Sequence, residues 1–346
     1  MLAPLHRTTA AGARIGAMKP NFAALPAVLL LALAASAQVK IVPGPQKIAV
    51  RIGDQPFTEF FMAGDQVVKP YLFPLRAATG TYVTRMWPLE KVAEEDKLFA
   101  DKIIRPDHPH QRGVWFAHDS VNKLDFWNIA PLDTPPYNRP DRGKIVLKKV
   151  GKVTSGRKKG SIAATFEWQD HGGATLLTES RVMTFYADPS LRVVDFDITL
   201  TAVQKVVFGD SKDGVFGTRL RPVLQEDTGT GHIANADGLQ GEKAVWGKPS
   251  NWCDYSGSIG GEKVGVAILD HPRNPRHPVR WHARAYGLFA ANPFGVEAFT
   301  GDRTQASPTE LEPGKSLRFR YRLIVHPGDA AAANIPAQWD RYVRGK

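Results

Sequence analysis

Six of the ten histidines fall in two stretches, and both stretches also hold arginine and tryptophan. The first runs Arg105-Pro-Asp-His-Pro-His-Gln-Arg-Gly-Val-Trp-Phe-Ala-His118 and continues to Asp125-Phe126-Trp127. Pro106 and Pro109 block a helix, so His108 and His110 sit on extended or turning backbone. On an extended segment residues two apart face one side, which lets the two imidazoles point together while His118 returns on the next strand. Three imidazoles are a conceivable metal site, with His108, His110 and His118 as ligands. The same residues also suit proton transfer near neutral pH, or a hydrogen-bonded polar corner beside Trp115 and Trp127.

The second stretch runs Asp270-His-Pro-Arg-Asn-Pro-Arg-His-Pro-Val-Arg-Trp-His282, then Arg284, Tyr286 and Asn292-Pro-Phe-Gly295. Pro272, Pro275 and Pro278 stiffen a loop whose ordering costs little entropy, which suits a binding site. A planar guanidinium can clamp a carboxylate or vicinal hydroxyls, so Arg276 and Arg284 join Arg112 as substrate-orienting candidates. Trp246, Trp252 and Tyr255 place aromatic rings beside polar groups, an arrangement shared by sugar-binding clefts and sandwich cores. The segment Phe208 to Arg219 adds Asp210, Lys212 and Arg219. Asp125 and Asp254 are candidate carboxylates, either catalytic or orienting a histidine. Cys253 reads as a small buried residue.

These residues need a scaffold, and the spacing predicts strands. Val194, Phe196, Ile198 and Leu200 alternate with polar residues, as do Leu317, Phe319, Tyr321 and Leu323 with Arg318, Arg320 and Arg322. Further strands are predicted at Lys47–Ile52, Lys144–Lys149, Ser161–Trp168, Thr178–Tyr186 and Val264–Leu269, with Arg157-Lys158-Lys159 at a hairpin tip. Helical patterns are confined to Leu89–Lys102 and Ala330–Val343. The fold class that follows is all-β, a large antiparallel β-sandwich with few short helices, built as one domain over residues 38–346.

Composition narrows the function. With 346 residues, 43 % apolar and 23 % charged, disorder is excluded as the main theme. A single cysteine excludes an internal disulfide framework and cysteine-based zinc or iron–sulfur sites. The net charge of +11 is spread along the chain without the basic reading helix or aromatic motif of a nucleic-acid binder. No G-x-S-x-G, Walker A, H-E-x-x-H or dinucleotide glycine fingerprint occurs. Residues 1–37 carry Arg7, Arg14, Lys19 and no acid. An apolar run from Phe22 to Ala34 and then Ala35-Ser-Ala37 complete a secretory signal, with Met18 as a credible start. The mature chain is then expected to begin near Gln38 and to work in the periplasm or outside the cell, without stable membrane insertion.

The motif His108-Pro-His-Gln-Arg-Gly-Val-Trp-Phe-Ala-His118 with Asp125-Phe-Trp127 resembles the signature of a secreted bacterial family of unknown function. Trp252-Cys-Asp-Tyr-Ser-Gly257, the Asp270 to Asn292-Pro-Phe-Gly295 block and Lys69-Pro-Tyr71 match its other blocks, while Gln111 replaces a third histidine. The family commonly carries the label "methane oxygenase PmoA". That label conflicts with this chain, because methane monooxygenase subunits of that name cross the membrane several times. The resemblance implies carbohydrate work and a fold compatible with the large sandwich of galactose mutarotase-like proteins.

Together these readings point to a carbohydrate-active lyase, hydrolase or epimerase that needs no cofactor. His108, His110, His118, His282, Asp125 and Asp254 would act as proton-transfer groups. Arg112, Trp127, Trp252, Tyr255, Arg276, Arg284, Tyr286 and Asn292 would bind a sugar or other small substrate. A non-catalytic sugar-binding protein and a divalent-metal oxidoreductase built on the first histidine cluster are the alternatives.

Overall fold

The computed structural model describes residues 38–130 and 139–345. The leader expected over residues 1–37 lies outside them. Among the described residues no helix is long and apolar enough to cross a membrane.

The alternating segments form strands that pair into two eight-stranded antiparallel sheets. The first sheet uses β1 (Val39–Pro43), β2 (Lys47–Ile52), β3 (Gln55–Phe61), β4 (Tyr71–Phe73) and β5 (Val114–His118). The chain then builds β6 (Lys144–Thr154), β7 (Lys159–Gln169), β8 (Thr175–Tyr186) and β9 (Arg192–Ala202) of the second sheet. A short β10 (Val206–Phe208) leads to β11 (Gly214–Arg219), which returns to the first sheet beside β5. The second sheet gains β12 (His232–Asn235), β13 (Trp252–Ile259) and β14 (Glu262–Asp270). The first sheet closes with β15 (Arg280–Ala283) and β16 (Leu288–Asn292). Finally β17 (Thr309–Leu311) pairs with β10, and β18 (Ser316–Pro327) enters the second sheet between β14 and β9. The first sheet therefore runs β1-β2-β3-β4-β5-β11-β16-β15 and the second β12-β13-β14-β18-β9-β8-β7-β6.

The period of two sends one side chain in two into the space between the sheets. Phe57 meets Phe185, Phe60 meets Phe166, and Phe116 meets Trp168 and Phe319. Phe216 stacks on Tyr321 at 4.8 Å. Each such buried ring contributes roughly 1.5–3 kcal/mol. The predicted strands are all present, β2 with the expected ends, and residues 157–158 form the β6–β7 tip. The helical patterns shrink to α1 (Ala93–Ala100) and, at the carboxyl end, α2 (Ile335–Val343). Helix α2 caps the outer face of the second sheet, where Ile335 and Tyr342 pack with Trp252, Leu269 and Ile324.

Candidate functional site

The strand order explains how two distant histidine stretches meet. The first ends in β5 and the second contains β15 and β16, and β11 lies between them in the sheet. On β5, Val114, Phe116 and His118 face the core, so Trp115 faces outward. Residues paired directly across an antiparallel ladder share a face. Gly217 pairs with both Trp115 and Ala290, and Ala290 pairs with His282, so these four line one row of the outer face. A Cβ on Gly217 would stand 2.9 Å from the Trp127 ring and 3.1 Å from Ala290, which fixes glycine there. Trp127 packs edge-on against Trp115 at 5.0 Å. Lys69, wholly buried, lies 5.6 Å from the Trp115 ring and donates to the Trp127 carbonyl. Burial, with Arg112 and Arg142 nearby, pushes its ammonium well below the usual lysine range.

Above this floor stands a polar network. The buried Arg85 donates to the carbonyls of Asp107 (2.8 Å), His108 (2.7 Å) and Gln111 (3.2 Å), gripping the turn that carries the first histidines. Asp107 Oδ1 accepts from Arg85 (3.1 Å) and Arg219 (3.0 Å), and Gln111 Oε1 accepts from Arg219 at 2.5 Å. Asp107 Oδ2 lies 2.7 Å from His108 Nδ1. Burial raises the Asp107 carboxyl, but His108, Arg219 and Arg85 outweigh it and hold the group well below the carboxylate range. His108 has φ +50°, left-handed backbone that costs a non-glycine residue on the order of 1–2 kcal/mol. Its side chain is 40 % exposed.

His108 stacks on Tyr286 at 5.5 Å and 7°, and this is where the two histidine stretches join. The ring of His110 lies 5.5 Å from that of His108. Burial, then Lys69 and His108, push His110 well below the usual imidazole range and keep it neutral. Arg219 and Arg284 both sit over the Tyr286 ring, at 4.5 and 5.4 Å. Arg284 also covers Trp246 at 4.9 Å and pairs with Glu242 at 2.8 Å. Trp246 meets His282 edge-on at 4.9 Å. A cavity of about 660 Å³ opens here, lined by Glu226, Glu242, Lys243, Trp246 and Arg284.

The far end of the row is built from the segment between β10 and β11. Its carbonyls are held in turn by His118 Nε2 on Gly209 (2.9 Å), Asn292 Nδ2 on Ser211 (2.7 Å) and His282 Nδ1 on Lys212 (2.8 Å). Asp213 Oδ1 is thereby held 3.6 Å from His282 Nδ1. Burial pushes both His118 and His282 down to about 4, so each is a neutral imidazole at physiological pH. Asp119 accepts from Ser211 Oγ at 2.6 Å, and burial pushes its carboxyl up to about 7.

Of the expected site residues, His108, His110, His282, Arg284 and Tyr286 come together, with Trp127 in the floor. His118 and Asn292 act one layer out, on the β10–β11 segment. His118 faces the core rather than the groove, so the triad His108, His110, His118 is not assembled. Among the described residues no three or more His, Cys, Asp or Glu side chains converge as a ligand set. Asp125 holds the turn bearing Trp127, accepting from the backbone N–H groups of Trp127 and Asn128 (both 2.8 Å) and pairing with Arg142. Arg112 donates to the carbonyls of Pro109 (3.1 Å) and Gln66 (2.7 Å).

Four expected residues lie elsewhere. Trp252, Asp254 and Tyr255 belong to β13, a strand of the second sheet. There Asp254 pairs with buried His326 at 2.6 Å, and Trp252 packs under α2. Tyr255 points into the core and donates to the Ala285 carbonyl at 2.8 Å, bracing the turn below Tyr286. Arg276 anchors to Ser307 Oγ and Thr309 Oγ1, both at 2.9 Å. The proline-rich loop is tied down by buried Asp270, which accepts from Asn274 (2.7 Å) and the Val279 N–H (3.1 Å) and lies 2.6 Å from His277 Nδ1. Sequence reasoning missed Arg85, Asp107, Asp119, Asp213 and Glu242. Only Asp107 and Asp119, each adjacent to a singled-out histidine, carried a local signal.

The fold and this groove frame the comparisons with known proteins. A model of the family of unknown function DUF6807 matches residues 47–340, and the chain belongs to that family. No curated protein matches the chain. Among solved structures it is similar to the α-galactosidase AgaA of Geobacillus stearothermophilus, with 9 % identity and a TM-score of 0.42 over 84 % of this chain. The chain spans only 40 % of that enzyme's length. It is also similar to a galactose mutarotase-like protein of Clostridium acetobutylicum (10 % identity, TM-score 0.37, 84 % of this chain and 99 % of that one). A third is the galactose 1-epimerase of Lactobacillus acidophilus (8 % identity, TM-score 0.38, 85 % and 100 %).

Proposed function

We propose that the chain is a carbohydrate-active enzyme that moves protons on a sugar held along the outer face of the first sheet. The observation that carries this reading is the Asp107–His108 pair, strained, partly exposed and stacked on Tyr286. An anionic Asp107 keeps a proton on His108 Nδ1 and leaves Nε2 as the base that faces solvent. Arg85 and Arg219 fix the carboxylate, so the imidazole is oriented before substrate arrives. At the other end His282 donates Nδ1–H to a carbonyl, which leaves its Nε2 as a second neutral proton acceptor. Between them Trp246 offers ring surface for sugar C–H groups, and Arg284 and Glu242, which line the cavity, offer charge-assisted partners for hydroxyls.

Such a site fits epimerisation or elimination, in which one group takes a proton and another returns it. The protein would do this work outside the cytoplasm after losing its leader, and an exported chain beginning near Gln38 by intact mass would bear that out. The catalytic test incubates the full chain with glucose, galactose, their keto-sugar derivatives and p-nitrophenyl glycosides, followed by NMR in D₂O and by polarimetry. Turnover of one of them should fall about 10²–10⁴-fold in His108→Ala with little change in KM. Trp246→Ala should mainly raise KM. Turnover by His108→Ala equal to wild type refutes the assignment, and saturable binding with no turnover makes the groove a sugar-binding site.

A further inference from the structure

A second cavity, of about 450 Å³, lies on the opposite side of the molecule against the outer face of the second sheet. Its lining includes the cations Lys159, Arg320 and Arg322, the carboxylates Asp195 and Asp197, and His271 and Tyr342. Nothing in the proposed sugar chemistry uses it. Its charges do not balance, for a reason visible in the strand register. Arg318, Arg320 and Arg322 project from the outer face of β18, with Phe319, Tyr321 and Leu323 on the core side between and beyond them. The neighbouring β9 offers Asp195 and Asp197 on the same face, directly across from Arg322 and Arg320. Arg322 takes Asp195 with two hydrogen bonds, at 2.6 and 2.8 Å. Asp197 is held by Arg318 instead of by its register partner, with Arg318 Nε at 2.7 Å and Nη2 on the second oxygen. Among the described residues Arg320 makes no ion pair, and the Asp197 charge reaches it only from across the ladder.

Arg320 is nevertheless held in place. Asn274 bonds both its backbone N–H (2.7 Å) and its carbonyl (2.6 Å). Its Nε is buried and makes no hydrogen bond among the described residues, and the same is true of the Tyr342 hydroxyl. Buried donors left without partners are costly and uncommon. A third donor stands beside them. His271 lies edge-on to Tyr342 at 5.3 Å, and its Nδ1 accepts the Arg273 N–H at 3.0 Å, so in the neutral ring the proton is on Nε2. Burial first, then the charges of Arg320 and Arg273, push that imidazole down to about 4. Lys159 adds another cation at the rim.

We propose that this cavity binds an oxyanion, a carboxylate, sulfate or phosphate group received by Arg320, Tyr342 Oη and His271 Nε2. A forked guanidinium plus two neutral donors matches the planar or tetrahedral oxygens of such groups. The site is independent of the groove on the first sheet.

The test is calorimetric titration of the full chain at fixed ionic strength with sodium sulfate, sodium phosphate and glucuronate, with glucose as the uncharged control. Saturable binding of at least one anion and none of glucose is expected. Arg320→Gln should weaken it about tenfold or more, and Tyr342→Phe severalfold, the scale of losing a charge-assisted and a neutral hydrogen bond. Asp197→Asn removes the negative charge across from Arg320 and should tighten binding, a gain that misfolding cannot produce. Glucuronate binding better than sulfate would identify a sugar acid as the ligand, and the reverse a sulfate or phosphate ester. No saturable binding to wild type or Asp197→Asn, or Arg320→Gln binding like wild type, overturns the proposal.

Discussion

Asp119 is placed so that it weakens the fold, and removing its charge should strengthen the protein. The residue follows His118 at the end of β5 and is mostly buried, its side chain 19 % exposed. One carboxylate oxygen accepts from Ser211 at 2.6 Å. The other is buried without a hydrogen bond among the described residues, 4.0 Å from His118 Nδ1. Burial, reinforced by the Asp213 charge, pushes the carboxyl from 3.8 up to about 7. A folded-state pKa above the unfolded one means the native state binds the proton more tightly, so stability is full below pH 3.8 and falls as the pH rises through 7. A rise of about three units at 1.36 kcal/mol each makes the loss about 4 kcal/mol above neutrality. Asparagine is isosteric, keeps an acceptor for Ser211 and turns an amide toward the imidazole. Asp119→Asn should therefore match wild type near pH 4 and exceed it by about 3–4 kcal/mol at pH 8, measured by urea unfolding at both pH values. Equal stability at pH 8, or an advantage that shrinks as the pH rises, refutes the reasoning.

Three other perturbations probe the frame. Glu179 holds Arg181 Nε at 2.6 Å and Trp168 Nε1 at 2.9 Å inside the sandwich, so Glu179→Gln strands a buried guanidinium and should cost about 3–5 kcal/mol in denaturant unfolding. An unchanged midpoint would show that the pair is not needed. Gly217→Ala drives a methyl against the buried Trp127 ring, and about 1–3 kcal/mol should be lost together with part of the near-ultraviolet tryptophan signal; a wild-type spectrum and midpoint would contradict the geometry. His282 has a folded pKa near 4 against 6.5 unfolded, so its contribution is full above pH 6.5 and is lost as the pH falls. Between pH 7 and 5 wild type should lose about 2 kcal/mol more than His282→Gln, and parallel pH profiles would count against a buried neutral imidazole.

The sheets were legible because alternation is local. Each of the strands read from sequence carries its own apolar face, and Phe196, Phe319 and Tyr321 declared theirs without help from elsewhere. The expected helices were shorter than their patterns. In the first, Glu95 turns inward to accept the N–H groups of Met86 (3.1 Å) and Trp87 (3.1 Å), so the segment serves a polar anchor as well as an apolar face. Strand order was not legible. Whether β5 pairs with β6 or with β11 depends on which sheet each joins, and the intervening strands β6 to β9 give no local sign of leaving the first sheet.

That hidden order decides which expected residues belong to the groove. The second histidine stretch reads as one continuous polar unit, yet it crosses from β14 of the second sheet to β15 of the first. Residues 270–279 make that crossing, and Asp270 ties it down by collecting Asn274, His277 and Val279. Only from Arg280 onward does the chain lie beside β11, where His282, Arg284 and Tyr286 can meet His108. Residue type is therefore a poor guide to role here, and distance along the first sheet is a better one. His118 and His282 have the same shifted imidazole and each holds a carbonyl of the β10–β11 segment, but from opposite faces of the sheet, so that only His282 lies beside Trp246 on the outer face. The carboxylates follow the same rule. Asp125 and Asp254, expected as catalytic or histidine-orienting carboxylates, bind Arg142 and His326 respectively inside the frame. Asp107, which the sequence reading passed over, reaches His108, the partly exposed histidine that meets Tyr286 of the second stretch. On the proposed function, turnover should fall in variants of Asp107, His108, His282 and Arg284, while Asp125 and Asp254 variants should lose stability instead; turnover lost equally in Asp125→Asn and Asp254→Asn with unchanged unfolding midpoints would refute this division of roles.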